Sequence, residues 1–128
     1  MNNEASTKKS ILVAEDDQFY ANIYRVKLAK EGFDVEIVGN GEEALEAVRR
    51  KKPDLLILDL IMPVKDGFAV LKELNADAAL KDVKVVVLSN LGQAEDVKKA
   101  KDLGAKDYII KTNVSIQEMI TKIKGYLS

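Results

Sequence analysis

Apolar and polar positions along this chain follow two alternating patterns. Short runs of Ile, Leu and Val recur five times, and longer stretches with apolar residues every three to four positions fill the intervals. The runs predict strands over residues 10–14, 35–38, 54–58, 83–88 and 107–110. Five strands separated by helices make a parallel sheet with helices on both faces, a three-layer α/β/α doubly wound fold. The first, third and fourth runs are almost continuously aliphatic, as expected of strands covered on both faces, and belong in the centre. Val35-Glu36-Ile37 carries a charge and Tyr108-Ile109-Ile110 is short, so both suit edges. The strand order that follows is 2-1-3-4-5.

Helix punctuation fills the gaps. A stretch from about Asp17 to Glu31 repeats Phe19, Ile23 and Val26 and closes at Gly32. Asn40 with Glu43, and Ser115 with Glu118, have the spacing in which a side-chain oxygen caps the first turn while a glutamate reaches back. Asp66-Gly67 opens the third helix, and Gly104 ends the fourth after Val97, Ala100 and Leu103. The last helix carries Ile116, Ile120, Ile123 and Leu127, a spacing that predicts packed core.

Chemistry collects at the ends of the runs. Glu15-Asp16-Asp17 follows the first, Asp59 the third and Lys111 the fifth. In an open parallel sheet the ligand crevice lies beyond the carboxyl ends of the strands, so these groups meet there if the runs are strands. Crowded carboxylates repel one another and need a cation. Oxygen ligands suit a hard divalent ion such as Mg²⁺, and a neighbouring lysine can pair with a phosphoryl oxygen, so the layout points to metal-assisted phosphoryl chemistry.

Composition narrows the picture. At 128 residues the chain suits one domain, expected over residues 10–128 behind a polar, disordered tail at 1–9. A net charge of -1 supplies no general attraction to nucleic acid or membrane, so partners are recognised locally. With no cysteine and no histidine, disulfides, thiolate metal sites and imidazole catalysis are excluded. A cytoplasmic location accords with the missing cysteines and with the lack of any apolar stretch near the roughly 20 residues that cross a bilayer.

In its motifs the chain resembles the receiver domain of bacterial two-component response regulators, of the single-domain, chemotaxis-regulator-like kind. The likeness rests on Ile11-Leu12-Val13-Ala14-Glu15-Asp16-Asp17, Leu58-Asp59-Leu60-Ile61-Met62-Pro63 with Asp66-Gly67, Val87-Leu88-Ser89, Gly104-Ala105 and Tyr108-Ile109-Ile110-Lys111. It implies a flavodoxin-like fold and a signalling domain rather than an enzyme. By the same resemblance Asp59 accepts a phosphoryl group from a histidine kinase or histidine phosphotransfer protein. Mg²⁺ is held by Glu15, Asp16, Asp59 and the backbone carbonyl of Ile61, and Lys111 pairs with the acceptor. Ser89 and Tyr108 form the switch. The output surface is made by the fourth helix, fifth strand and fifth helix, with Met119 and Tyr126 as further contributors.

Some positions depart from the family pattern. Thr112 stands where a proline usually follows the lysine; a cis bond before a non-proline residue costs about 2.5–4 kcal/mol, so a trans bond is expected. Asn90 is bulkier than the usual residue there and narrows the approach to Asp59. In the family this chain resembles, the positions of Ile61 and Leu91 border the path of water to the phosphorylated aspartate, and apolar groups there predict a long-lived phosphoryl group. A hydrolase passing through a phosphoaspartate needs an acid-base group where Ile61 stands, and Ile61 transfers no proton. A binding module working without phosphorylation leaves the acids and Lys111 without a purpose. Lys98, Lys99, Lys101 and Lys106 read as a solvated helix face.

Overall fold

The structure, a computed structural model, describes residues 8–128. The tail expected over 1–9 lies outside the described residues except for Lys8 and Lys9, which are exposed. The elements are β1 (Ser10–Ala14), α1 (Gln18–Lys30), β2 (Asp34–Val38), α2 (Gly41–Arg50), β3 (Leu55–Leu58), α3 (Gly67–Ala76), β4 (Val85–Ser89), α4 (Ala94–Asp102), β5 (Asp107–Ile110), a 3-10 turn (Lys111–Asn113) and α5 (Ile116–Tyr126). The sheet is parallel with the order β2-β1-β3-β4-β5, as the pattern of runs required.

Alternation along the strands sorts the core into two layers. Leu12, Ala14, Leu56, Leu58, Val85 and Val87 point to one face, where α2, α3 and α4 cover them with Leu45, Val48, Val70, Leu71, Leu74 and Ala100. Ile11, Val13, Leu55, Ile57, Val86, Leu88 and Ile109 point to the other, under Tyr24 and Leu28 of α1 and Met119, Ile120 and Ile123 of α5. No helix among the described residues is long and apolar enough to cross a membrane.

The expected caps are present. Asp17, Asn40, Asp66 and Ser115 each accept a backbone N–H of the first turn they precede, and Glu118 completes a reciprocal pair with Ser115. β4 starts at Val85 instead of 83, because Val83 N–H turns back to the Leu80 carbonyl at 3.0 Å and so leaves the ladder.

The orientation of α1 differs from the stripe that announced it. Phe19 is 68% and Val26 58% exposed, while Ala21, Tyr24 and Leu28 face the sheet. Both sets have helical spacing, so periodicity identifies the helix without choosing its inner face.

Between β3 and α3 the chain makes a tight loop. Val64 has φ 68, unusual for a β-branched residue, and Lys65 N–H closes on the Pro63 carbonyl at 2.7 Å. Lys65 is anchored by Glu73 and Glu42. Gly67 is required where the loop enters α3. A Cβ there would overlap the Asp59 carbonyl oxygen and lie 2.8 Å from Leu60 Cα.

Candidate functional site

Register brings the acids together. Ala14 pairs with Leu58 across β1 and β3, so the next residues, Glu15 and Asp59, emerge side by side, and Asp59 N–H extends the ladder to the Ala14 carbonyl at 3.1 Å. Side-chain alternation puts Glu15 with Val13, Asp59 with Ile57 and Lys111 with Ile109, all on the α1 and α5 face. There the Lys111 ammonium donates to Glu15 Oε1 at 2.6 Å and Asp59 Oδ2 at 3.0 Å. Glu15, Asp59 and Lys111 are all buried, and Asp16 stands exposed at the rim.

The other carboxylate oxygens are aimed by backbone groups. Asp59 Oδ1 accepts Leu60 N–H at 2.7 Å and Ile61 N–H at 3.3 Å, and Glu15 Oε2 accepts Asp17 N–H at 3.1 Å. One carboxylate oxygen from each of Glu15, Asp16 and Asp59 lies within 4.8 Å of the others. Three carboxylates against one ammonium leave two uncompensated negative charges when all are ionised. An all-oxygen donor set with that surplus fits Mg²⁺, which binds through few protein carboxylates and keeps its remaining positions for water or phosphate oxygens. The Ile61 carbonyl accepts no hydrogen bond from another described residue and is free to serve as a further oxygen donor.

A family model described as the response regulator receiver domain matches residues 11–124. The chain belongs to that family. It is 37% identical over 120 residues to a probable transcriptional regulator, ycf27, of Porphyridium aerugineum, an alignment covering 94% of this chain and 48% of that protein. To the DNA-binding response regulator MtrA of Mycobacterium tuberculosis it is 36% identical over 120 residues, 94% of this chain and 51% of the relative. The chain therefore spans about half the length of the curated relatives it matches. Among solved structures, the BeF3-activated N-terminal receiver domain of RstA from Klebsiella pneumoniae superposes with a TM-score of 0.84 at 28% identity, over 93% of this chain and 98% of that one. The acidic pocket of this receiver domain fits Mg²⁺ and a phosphorylation site.

On the opposite face of the receiver's sheet end, Ser89 closes β4 fully buried. Its Oγ accepts Leu91 N–H at 3.3 Å, and the half-buried Tyr108 hydroxyl donates to the Leu91 carbonyl at 2.5 Å, so the two residues grip one stretch of backbone. Met119, expected on the partner surface, is buried against the sheet, because its place in α5 faces the core. Tyr126 is half-buried and donates to Asp107. No peptide bond among the described residues is cis, and Thr112 sits in the 3-10 turn after a trans bond. Lys98 pairs with Asp102, Lys99 lies over the Phe68 ring at 4.3 Å and Lys101 approaches Asp107, which fits a locally neutralised face.

Sequence reasoning missed Tyr20, whose ring centroid lies 4.4 Å from Lys111 Nζ. The signal available was its position on α1 one turn before Tyr24, on the side that covers the same sheet face.

Burial pushes Glu15 up from 4.5 to about 7, although the bond from Lys111 opposes the shift. Lys111 is itself burdened by burial, but the bond to Glu15 and the charge of Asp59 hold its ammonium above its ordinary value. A carboxyl that binds its proton more tightly folded than unfolded favours folding at low pH, and this contribution is lost as pH rises from about 4.5 through 7. Urea unfolding without Mg²⁺ should therefore show roughly 2–3 kcal/mol less stability from this group at pH 8 than at pH 4.5, at about 1.4 kcal/mol per pKa unit. Saturating Mg²⁺ should remove most of that loss. A metal-free protein with no decline across this window would contradict the assignment of Glu15.

Proposed function

We propose that this receiver domain takes a phosphoryl group onto Asp59 from the phosphohistidine of a kinase or phosphotransfer protein and changes shape in response to control a second protein. The observation that carries this reading is the convergence of the buried Glu15 and Asp59 and the rim residue Asp16 opposite the Lys111 ammonium. Phosphoryl transfer needs mainly positioning and neutralisation of the equatorial oxygens. Asp59 is aimed through Oδ1 by two backbone N–H groups, which leaves Oδ2, on the Lys111 side, to attack phosphorus. As the new oxygen–phosphorus bond forms, the phosphorus–nitrogen bond breaks, and the electron pair remains on the imidazole nitrogen of the donor. Mg²⁺, held by Glu15, Asp16, Asp59 and the Ile61 carbonyl, would supply the charge that lets two anions approach. Lys111 pairs with the acceptor and then with the phosphoryl oxygen. The domain catalyses only its own modification, in the cytoplasm.

Ser89 and Tyr108 carry the response. A phosphoryl oxygen on Asp59 accepts a hydrogen from the Ser89 hydroxyl, whose oxygen holds Leu91 N–H; the side-chain turn this requires loosens the grip on Leu91, and Tyr108 rearranges with it. Tyr108 lies on the proposed output surface of α4, β5 and α5. MtrA is described as DNA-binding, but this chain spans only half of it, and the output partner proposed here is a protein.

The test is intact-protein mass after incubation with acetyl phosphate, with Mg²⁺ or with chelator. One Mg²⁺-dependent phosphoryl addition, located to the peptide containing Asp59, is expected. No addition, or addition elsewhere, would overturn the proposal.

Phosphoryl lifetime follows from the pocket's rim. Ile61 is 61% exposed beside Asp59 and Leu91 is half-buried, and neither can orient an attacking water. Replacing both, Ile61→Asn with Leu91→Glu, should shorten the lifetime of the modified aspartate roughly tenfold, in line with a positioned proton acceptor. Decay after donor removal measures it, and an unchanged half-life would remove the shielding idea.

A further inference from the structure

The Lys111 ammonium has three hydrogens to direct and two carboxylates to receive them. A further side of it is covered by the face of Tyr20, with Nζ 4.4 Å from the ring centroid. Two further aromatic rings touch that of Tyr20. It stacks on Tyr24 at 6.1 Å and 26°, and it meets Phe19 edge-on at 5.5 Å and 81°. Tyr24 is fully buried against the sheet, so the stack is rooted in the core. We propose that Tyr20 is a positioning residue for Lys111, its ring face holding the ammonium over the pocket while the amine changes partner from Glu15 to a phosphoryl oxygen on Asp59.

The need for such a hold lies in the distances. The contact to Glu15 is the shorter of the two, and Glu15 is buried, so an ammonium governed by the carboxylates alone settles toward Glu15 and away from the reacting oxygen. A hydrogen bond has to break before its donor can turn. Attraction to a ring face has no such directionality, because the quadrupole draws a cation over a broad area. Tyr20 can thus restrain Nζ throughout the exchange, and it shields the ammonium from water without competing for its hydrogens. This role rests on the phosphoryl-acceptor reading above, and the two can fail separately.

The experiment compares Tyr20→Phe, which keeps the ring, with two ringless variants, Tyr20→Leu and Tyr20→Met. Phosphorylation by acetyl phosphate is followed at saturating Mg²⁺, and the Lys111 ε-methylene protons are followed by NMR with thermal melting as a check on folding. A ring over the amine shifts those protons upfield. Tyr20→Phe should react within about twofold of the parent and keep the shift. The ringless variants should fold, lose the shift and react roughly five- to tenfold more slowly, the range expected of a partly desolvated cation–π contact. Ringless variants reacting at the parent rate would overturn the proposal, as would Tyr20→Phe reacting as slowly as they do. If the parent protein accepts no phosphoryl group, the acceptor reading falls. The Lys111 resonances then decide whether Tyr20 holds the amine, and unshifted protons overturn that too.

Discussion

Asp59→Asn should abolish phosphoryl uptake and, at pH 8 without Mg²⁺, make the domain more stable. The first effect follows from the loss of the attacking anionic oxygen. Asparagine can keep the backbone bonds from Leu60 and Ile61 through its own oxygen, so the loop need not collapse. The second effect follows from charge. Asp59 is attracted to one ammonium at 3.0 Å and repelled by two carboxylates no more than 4.8 Å away. In a common dielectric, two repulsions at that distance exceed the one attraction, and burial adds to the penalty on the ionised form. A gain of about 1 kcal/mol is expected, reduced because Asp16 is exposed and screened. Mg²⁺ should reverse the order of stability, since Asp59 then serves as a ligand. Intact mass and urea titration with and without Mg²⁺ check both halves. Continued labelling of the same peptide, or a lower metal-free stability at pH 8, would contradict the account of the pocket.

Lys111→Met should act in the opposite direction on stability. The side chain is about as long, but it leaves Glu15 and Asp59 buried and facing each other with no positive group between them. Removing one member of a buried ion pair usually costs about 3–5 kcal/mol because the other is left uncompensated. The loss should be greatest at pH 8, smaller at pH 5 where Glu15 can take a proton, and partly recovered with Mg²⁺. Phosphoryl uptake should fall on the order of a hundredfold, the usual scale for deleting one group that stabilises developing charge. Urea titrations at the two pH values, alongside phosphorylation rates, separate the two roles. A variant as stable as the parent at pH 8 without Mg²⁺ would show that Lys111 does not neutralise this pocket.

Much of this arrangement was legible in the residues themselves. The aliphatic runs marked the central strands, and the caps Asp17, Asn40, Asp66 and Ser115 marked helix starts through local hydrogen bonding that needs no tertiary partner. Strand ends placed Glu15, Asp59 and Lys111 at the carboxyl end of the sheet. What the sequence did not reveal depends on packing between elements. Helix α1 has two apolar stripes, and the sheet took Ala21, Tyr24 and Leu28 instead of Phe19 and Val26. The place of Tyr20 over Lys111 follows from that choice of face. Met119 looked like a surface candidate and is core, since its neighbours in α5 rotate it inward. That Lys111 sits closer to Glu15 than to Asp59 is a result of three-dimensional distance alone.

Residue 67 can carry only a hydrogen, because the backbone of Asp59 and Leu60 occupies the space of any side chain. The end of β3 and the start of α3 are therefore main chain against main chain, a joint with no slack. Across the pocket, the end of β4 is tied to its neighbours through side chains instead: Ser89 Oγ accepts Leu91 N–H, and the Tyr108 hydroxyl donates to the Leu91 carbonyl. One flank of the pocket is thus held by main chain packed on main chain, the other by two side-chain hydrogen bonds.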